Sequence, residues 1–187
     1  MGISMGSQDK IGARRLNGPA GSGGKTAARI QYGALCWRRQ AAGLEVLLIT
    51  SRDTGRWVIP KGWPMPGLAP EAAAAQEAWE EAGVEGRVNP VCLGRFGYTK
   101  VLSADASVPC AVAVYGLQVS ALATTYPEAE ARRRAWFALD KAATLVDEPE
   151  LRVLIDSFIP PAEGRPGPIA GDPDEAPPRS RPGNGAR

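Results

Sequence analysis

From residue 160 onward the chain runs PPAEGRPGPIAGDPDEAPPRSRPGNGAR. Proline at this density removes backbone donors and fixes φ, so the stretch cannot carry a helix interior or a central strand. Residues 1–27 are rich in Gly, Ser and Ala, with scattered basic residues and no periodicity. Both ends, 1–27 and 160–187, are therefore predicted to be disordered. They confine any packed core to about residues 28–159, one domain of ordinary size. With 44% hydrophobic residues overall, the chain has the material for such a core. No internal repeat is apparent.

Inside that window the pattern alternates. Residues 30–38 and 44–51 read as strands joined by a turn around Ala42 and Gly43. Asp53, Thr54 and Gly55 signal a turn, and 57–59 reads as a short strand stopped by Pro60. Residues 61–67, with two glycines and two prolines, read as a loop. Pro70 suits the first turn of a helix that runs to Ala82 and stops at Gly83. Longer strands are predicted over 87–102 and 108–119, a shorter one over 132–139, and helices over 140–146 and 148–158. This order predicts a single α/β domain with a mixed sheet and few helices.

Composition excludes several function classes. The net charge of +2 argues against a general nucleic-acid binder, and no DNA-binding helical motif is apparent. No run of about 18 apolar residues exists, so no membrane-spanning helix is expected. Lys10, Arg14 and Arg15 are not followed by an apolar stretch, so no signal peptide is expected and a cytoplasmic location is predicted. Cys36, Cys92 and Cys110 are far apart in apolar, strand-like sequence and read as buried thiols of a reducing compartment. The chain has no histidine, which removes Ser-His-Asp and Cys-His sites and histidine-ligated zinc. Acid–base work must fall to carboxylates, lysine, tyrosine, cysteine or metal-bound water. The available hard ligands are oxygens, which suit magnesium or manganese.

The predicted helix over 70–82 carries the most informative charges. On a wheel of about 100° per residue, Glu77, Glu80 and Glu81 fall within an arc of roughly 100°. Ala75, Ala78, Trp79 and Ala82 occupy the other side. One face is expected to pack on the sheet while three carboxylates point into one space. A solvated acidic face is the plain alternative. Against it, Glu77–Glu80 and Glu77–Glu81 are like-charge pairs, each unfavourable by roughly 0.2–0.5 kcal/mol. Glu80 and Glu81 also lie in the last turn, where the helix dipole disfavours negative charge. No Lys or Arg lies between Lys61 and Arg87 to neutralise them locally. A divalent cation would reverse all three penalties, yet both readings stay open on these grounds.

The stretch from Gly62 through Leu68, Gln76, Glu77, Glu80, Glu81 and Gly83 to Val84 resembles the Nudix box of the Nudix hydrolase superfamily. That box is a glycine, five residues, a glutamate, seven residues, then Arg-Glu-aliphatic-x-Glu-Glu-x-Gly-aliphatic. Gly62, Glu77, Ala78, Glu80, Glu81, Gly83 and Val84 fit at the right spacing. Two positions depart: Leu68 stands at the early glutamate and Gln76 at the arginine. The flanking Trp57-Val-Ile-Pro-Lys-Gly62 and Arg134-Ala-Trp136-Phe137 resemble the diphosphoinositol polyphosphate and diadenosine polyphosphate hydrolase branch. The resemblance covers roughly residues 28–158. It implies the Nudix fold, a mixed β-sheet sandwiched between helices (α/β/α). It also implies a Mg2+- or Mn2+-dependent pyrophosphohydrolase that cleaves a phosphoanhydride bond in a small polyphosphate.

Carried over position by position, the resemblance assigns Glu77 and Glu81 to metal. It assigns Glu80 to the general base, with direct ligation by Glu80 nearly equivalent. Gln76 lies one turn before Glu80 and can donate an amide hydrogen bond to it, without the charge of an arginine. Substrate phosphates are expected to meet Arg52, Lys61, Gly62, Arg134 and Arg132. Arg132 and Arg134 share one face if their segment is a strand. Arg29 and Lys100 are weaker candidates, and Trp63 either packs on a base or covers its loop. Alternatives to the leading substrate class are RNA 5′ ends, nucleotide sugars, or a non-catalytic nucleotide-binding sensor. Gly18-Pro-Ala-Gly21-Ser-Gly-Gly24-Lys25-Thr26 looks like a P-loop, but Pro19 stands at a required glycine and no strand precedes it, so it reads as tail. Asp147, Glu148 and Glu150 read as the acidic start of the last helix. The oligomeric state is left open.

Overall fold

The computed structural model describes residues 27–103 and 106–161. Most of the two predicted tails and the P-loop-like stretch lie outside those residues. β1 (Arg29–Gln40) and β2 (Gly43–Thr50) form a hairpin whose tight turn ends at Gly43, with φ at 132°. The two strands pair only near that turn, from Trp37↔Val46 to Gln40↔Gly43, and splay beyond it. The opened edges take two short strands: β3 (Trp57–Val58) pairs with β2, and β4 (Lys61–Gly62) pairs with β1 at Tyr32 and Gly33. Lys61 and Gly62, expected to be loop, are thus held in the sheet by backbone pairing, which a two-residue segment cannot reveal through periodicity.

α1 (Pro70–Ala82) follows, with Pro70 in its first turn and Gly83 in the left-handed conformation at its C-cap. The Gly83 N–H donates to Trp79 O at 2.8 Å and ends the helix where glycine tolerates positive φ at no steric cost. β5 (Val84–Ser103) begins at once rather than at 87. It is interrupted by register shifts between Val88 and Cys92 that accommodate Pro90 on an edge strand. β6 (Ala106–Leu122) runs antiparallel to β5 and parallel to β1, and β7 (Arg134–Ala138) covers the other edge of β2. α2 (Leu139–Leu145) and α3 (Pro149–Asp156) close the described fold.

Period-two alternation divides the core into two layers. Ala34, Cys36, Leu47, Ile49, Ala113 and Tyr115 face Ala74, Ala78 and Ala82 of α1. Leu35, Trp37, Leu48 and Val112 face the opposite way, against Ala142, Leu151 and Ile155 of α2 and α3. The mixed seven-stranded sheet therefore lies between helices, the α/β/α arrangement expected. Alanines on α1 bring its axis close to the sheet; overpacking a larger side chain there costs about 1–3 kcal/mol. Cys36 and Cys110 are buried, but Cys92, between two register shifts on the edge strand β5, is exposed.

Candidate functional site

The splay of β1 from β2 places the C-terminal half of α1 above β4. A Cβ at Gly62 would overlap the Glu77 carboxylate, so this position needs glycine to let the acid reach the sheet. Glu77 is half buried and makes no hydrogen bond or ion pair among the described residues. Its carboxyl is pushed up to about 7, first by burial and then by Glu81, Glu80 and Glu128. Glu80 accepts a hydrogen bond from the Gln76 amide at 2.8 Å. The neutral amide thus takes the orienting place one turn earlier.

Glu81 departs from the wheel. It was expected on the open face with Glu77 and Glu80, and it is buried, at 8% exposure. Its Oε2 accepts from the Lys61 backbone N–H at 3.0 Å, and its Oε1 meets the Arg132 guanidinium in a close ion pair. Burial pushes the Glu81 carboxyl up, and Arg132 and then Lys61 oppose that shift. The neutralising charge missing between Lys61 and Arg87 therefore arrives from 51 residues downstream.

The two expected phosphate-binding arginines separate. β7 begins at Arg134, so Arg132 precedes the strand and shares no strand face with it. Arg134 donates to Ala82 O, and to Ala123 O at 2.7 Å, while its guanidinium lies 4.8 Å from the Tyr126 ring centroid. It supplies the cation that the α1 C-terminus lacks in its own sequence. Its donors are committed to backbone carbonyls, and it does not line the cleft described next.

Beside the acidic helix lies a cleft of about 460 Å³, lined by Arg52, Arg56, Lys61, Lys100, Arg132 and Glu81 among others. Arg52 follows β2 and pairs with Glu128 at 3.2 Å. Burial pulls the Lys61 ammonium down from its ordinary value, and Glu81 opposes this. Trp63 carries the Arg29 guanidinium 4.2 Å and the Lys100 ammonium 5.0 Å from its ring centroid, so both weaker cationic candidates gather on one indole. Leu68 lies exposed on the loop before α1.

Three residues escaped the sequence reading. Glu128 sits in the segment between β6 and β7, bridges Arg52 and Arg132, and adds a fourth carboxylate to the field around Glu77. Arg56 lines the cleft and is held by Asp147 at 3.3 Å and Glu148 at 3.1 Å. Tyr98 also lines the cleft and donates to buried Gln31 at 2.6 Å. Arg56 and Tyr98 depend on partners 91 and 67 residues away, and the place of Glu128 at the site depends on Arg52, 76 residues away, besides Arg132 four residues on.

Among the described residues no three carboxylates converge as a ready-made cation shell, because Glu81 turns to Arg132 and Glu80 to Gln76. The donor set nonetheless fits a hard divalent cation. Glu77 is an uncompensated, partly buried acid beside three others, and magnesium is commonly held by one or two carboxylates with water and phosphate oxygens completing the shell.

Comparison with known proteins gives this geometry its family. The model of the NUDIX domain matches residues 29–158, which contain the whole of the described sheet and all three helices among the described residues. The chain belongs to the NUDIX family. Within it, the chain is 33% identical over 120 residues to Nudix hydrolase 16, mitochondrial, of Arabidopsis thaliana, covering 62% of this chain and 66% of that one. It is 31% identical over 110 residues to diphosphoinositol polyphosphate phosphohydrolase 3-alpha of Mus musculus, covering 58% of this chain and 63% of that one. The chain thus spans just under two thirds of the length of these curated relatives. Among solved structures, C. elegans Ap4A hydrolase superposes with a TM-score of 0.53 at 20% identity, over 69% of this chain and 94% of that one. E. coli dihydroneopterin triphosphate pyrophosphohydrolase gives 0.55 at 17%, over 72% and 97%. At these identities the structural likeness establishes the Nudix fold. Enzymes of the family generally use divalent cations. No helix among the described residues is long and apolar enough to cross a membrane.

Proposed function

We propose that this NUDIX chain is a metal-dependent pyrophosphohydrolase that cleaves a phosphoanhydride bond in a dinucleoside polyphosphate or a diphosphoinositol polyphosphate-type substrate. The observation that carries this reading is the position of Glu77. An unpaired acid on α1, pressed onto Gly62, stands among three further carboxylates beside a cleft lined by Arg52, Arg56, Lys61, Lys100 and Arg132, with Asp53 and Glu81 as its acids. Acid and base are thus set side by side, as a polyanion bridged by a cation requires. The names of the relatives, diphosphoinositol polyphosphate phosphohydrolase among them, support the substrate class.

In this reading Glu77 and Glu81, with Glu80, hold Mg2+ or Mn2+, which when bound screens the phosphate charge and acidifies water. Glu80 accepts the proton of the attacking water, and the Gln76 amide keeps its carboxylate aimed. The water oxygen bonds to phosphorus, the bridging P–O bond breaks, and the departing phosphate carries the bond pair away. Arg52, Lys61 and Arg56 orient the phosphates at the cleft wall. Arg132 reaches the same space from Glu81, and Gly62 contributes by admitting Glu77.

Phosphate release is the test. Purified chain with Mg2+ or Mn2+ is offered dinucleoside polyphosphates, a diphosphoinositol polyphosphate, capped RNA ends and nucleotide sugars. Turnover is expected on the first two, and Glu80→Gln should lower it on the order of a hundredfold. Preference for RNA or nucleotide sugars would replace the substrate class. Ligand binding without turnover across the panel would make the chain a sensor.

A further inference from the structure

The charge balance of α1 carries an inference that rests on this reading of the acidic site. Arg132 is an arginine in an unusual place. Its side chain is 8% exposed, and its three nitrogens point in three directions. Nε donates to Glu128 Oε2 at 2.5 Å, Nη1 to the Thr50 carbonyl at 3.0 Å, and Nη2 to Glu81 Oε1. The planar guanidinium thus spans two carboxylates from different segments, one on α1 and one between β6 and β7. With Lys61 N–H on the other oxygen of Glu81, both oxygens of that acid face donors.

Glu77 and Glu80 have no such counter-ion: Glu77 is unpaired among the described residues and Glu80 meets only the neutral amide of Gln76. The four acids therefore divide into a neutralised half, Glu81 and Glu128, and an open half, Glu77 and Glu80. We infer that Arg132 is a resident cation of this site, filling the Glu81–Glu128 half so that a divalent ion binds the substrate-free protein only at the Glu77–Glu80 half.

A guanidinium suits this role because it stays charged at all working pH values and its fork reaches two carboxylates at once, which a lysine ammonium does not. The arrangement is also reversible. Arg132 lines the cleft, so a phosphate entering there offers it a replacement partner and releases Glu81 and Glu128 as ligands. Arg132 acts here as a positioning residue, and it couples substrate entry to the number of ions the site holds.

The test counts ions without turnover. Mn2+ alone is titrated into the full chain, with free Mn2+ read by electron paramagnetic resonance, for wild type and Arg132→Met. The variant is expected to bind one more Mn2+ per chain, or to bind Mn2+ at least tenfold more tightly. Adding Glu81→Gln to Arg132→Met should remove that gain. Arg132→Gln, which removes the charge but keeps hydrogen-bond donors, decides by the same criterion if the methionine variant fails to fold. Equal stoichiometry, with affinity within twofold of wild type in a folded variant, overturns the role of Arg132 alone. Absence of Mn2+ binding in every protein, wild type included, overturns the metal-dependent reading itself.

Discussion

The acidic and the cationic walls of the site are built in opposite ways. Glu77, Glu80 and Glu81 lie within five residues on one helix, so a helical wheel brings them together before any tertiary structure is known. The cations arrive one at a time: Arg52 after β2, Arg56 before β3, Lys61 on β4, Lys100 on β5 and Arg132 before β7. A helix can concentrate like charge only at a cost in repulsion, so partners from distant segments must hold the cluster together. Arg132 on Glu81 and Arg134 on the last carbonyl of α1 do that here. The acidic wall is local and strained by its own charge, and the cationic wall is non-local and compensates it.

Four perturbations sharpen that contrast. The largest effect is expected from Gly62→Ala, since its Cβ would occupy the space of the Glu77 carboxylate. The free end of the Glu77 side chain can swing away, so the stability loss should stay small, while displacement of its carboxylate should remove nearly all turnover. Calorimetry and phosphate release on the same preparation would separate the two losses. Next comes Arg134→Met, which strips charged donors from Ala82 O and Ala123 O. A stability loss of about 2 kcal/mol is expected in chemical denaturation, with turnover in the surviving folded fraction near wild type.

A smaller effect follows from pH. The Glu77 carboxyl is pushed up to about 7 in the metal-free fold, against an ordinary value of 4.5. The folded state therefore holds this proton more tightly than the unfolded chain. Its stabilising contribution is full below about pH 4.5 and is lost as pH rises through 7. Without metal, Tm should fall between pH 5.5 and pH 8 by more in wild type than in Glu77→Gln, and equal slopes would contradict the burial of an unpaired acid. The smallest effect is expected for Arg52→Ala, because Arg52 is largely exposed and screened by solvent. KM should rise by about threefold to tenfold with kcat little changed, consistent with loss of roughly 1 kcal/mol of uniform phosphate binding.

How much of this was legible in the sequence follows the same division. The limits of α1, its proline start and its glycine stop were readable because each is set by chemistry within a few residues. So were the strands β1 and β2, since their apolar runs over 34–37 and 46–49 are a local signal, whereas the helices on both faces of the sheet were implied by the resemblance. The Gln76 amide was correctly expected within reach of Glu80, because a spacing of four on a helix fixes the distance. The short strand β4 was missed because its two residues owe their state to Tyr32 and Gly33 across the sheet. Glu81 was placed on the open face because a wheel sees one helix and not Arg132 above it. The contacts of Arg134 with the last carbonyl of α1 and with Ala123 O were not readable, since these partners lie 52 and 11 residues away.

The acidic face of α1 is expected to work only through a bound cation. The direct measurement is turnover of the metal-stripped full chain on a diphosphoinositol polyphosphate or dinucleoside polyphosphate, before and after adding Mg2+, for wild type and Glu77→Gln. Wild type should gain on the order of a hundredfold or more on Mg2+ addition while Glu77→Gln gains little. Turnover that persists unchanged in chelator, or a Glu77→Gln variant that responds to Mg2+ as wild type does, would contradict it.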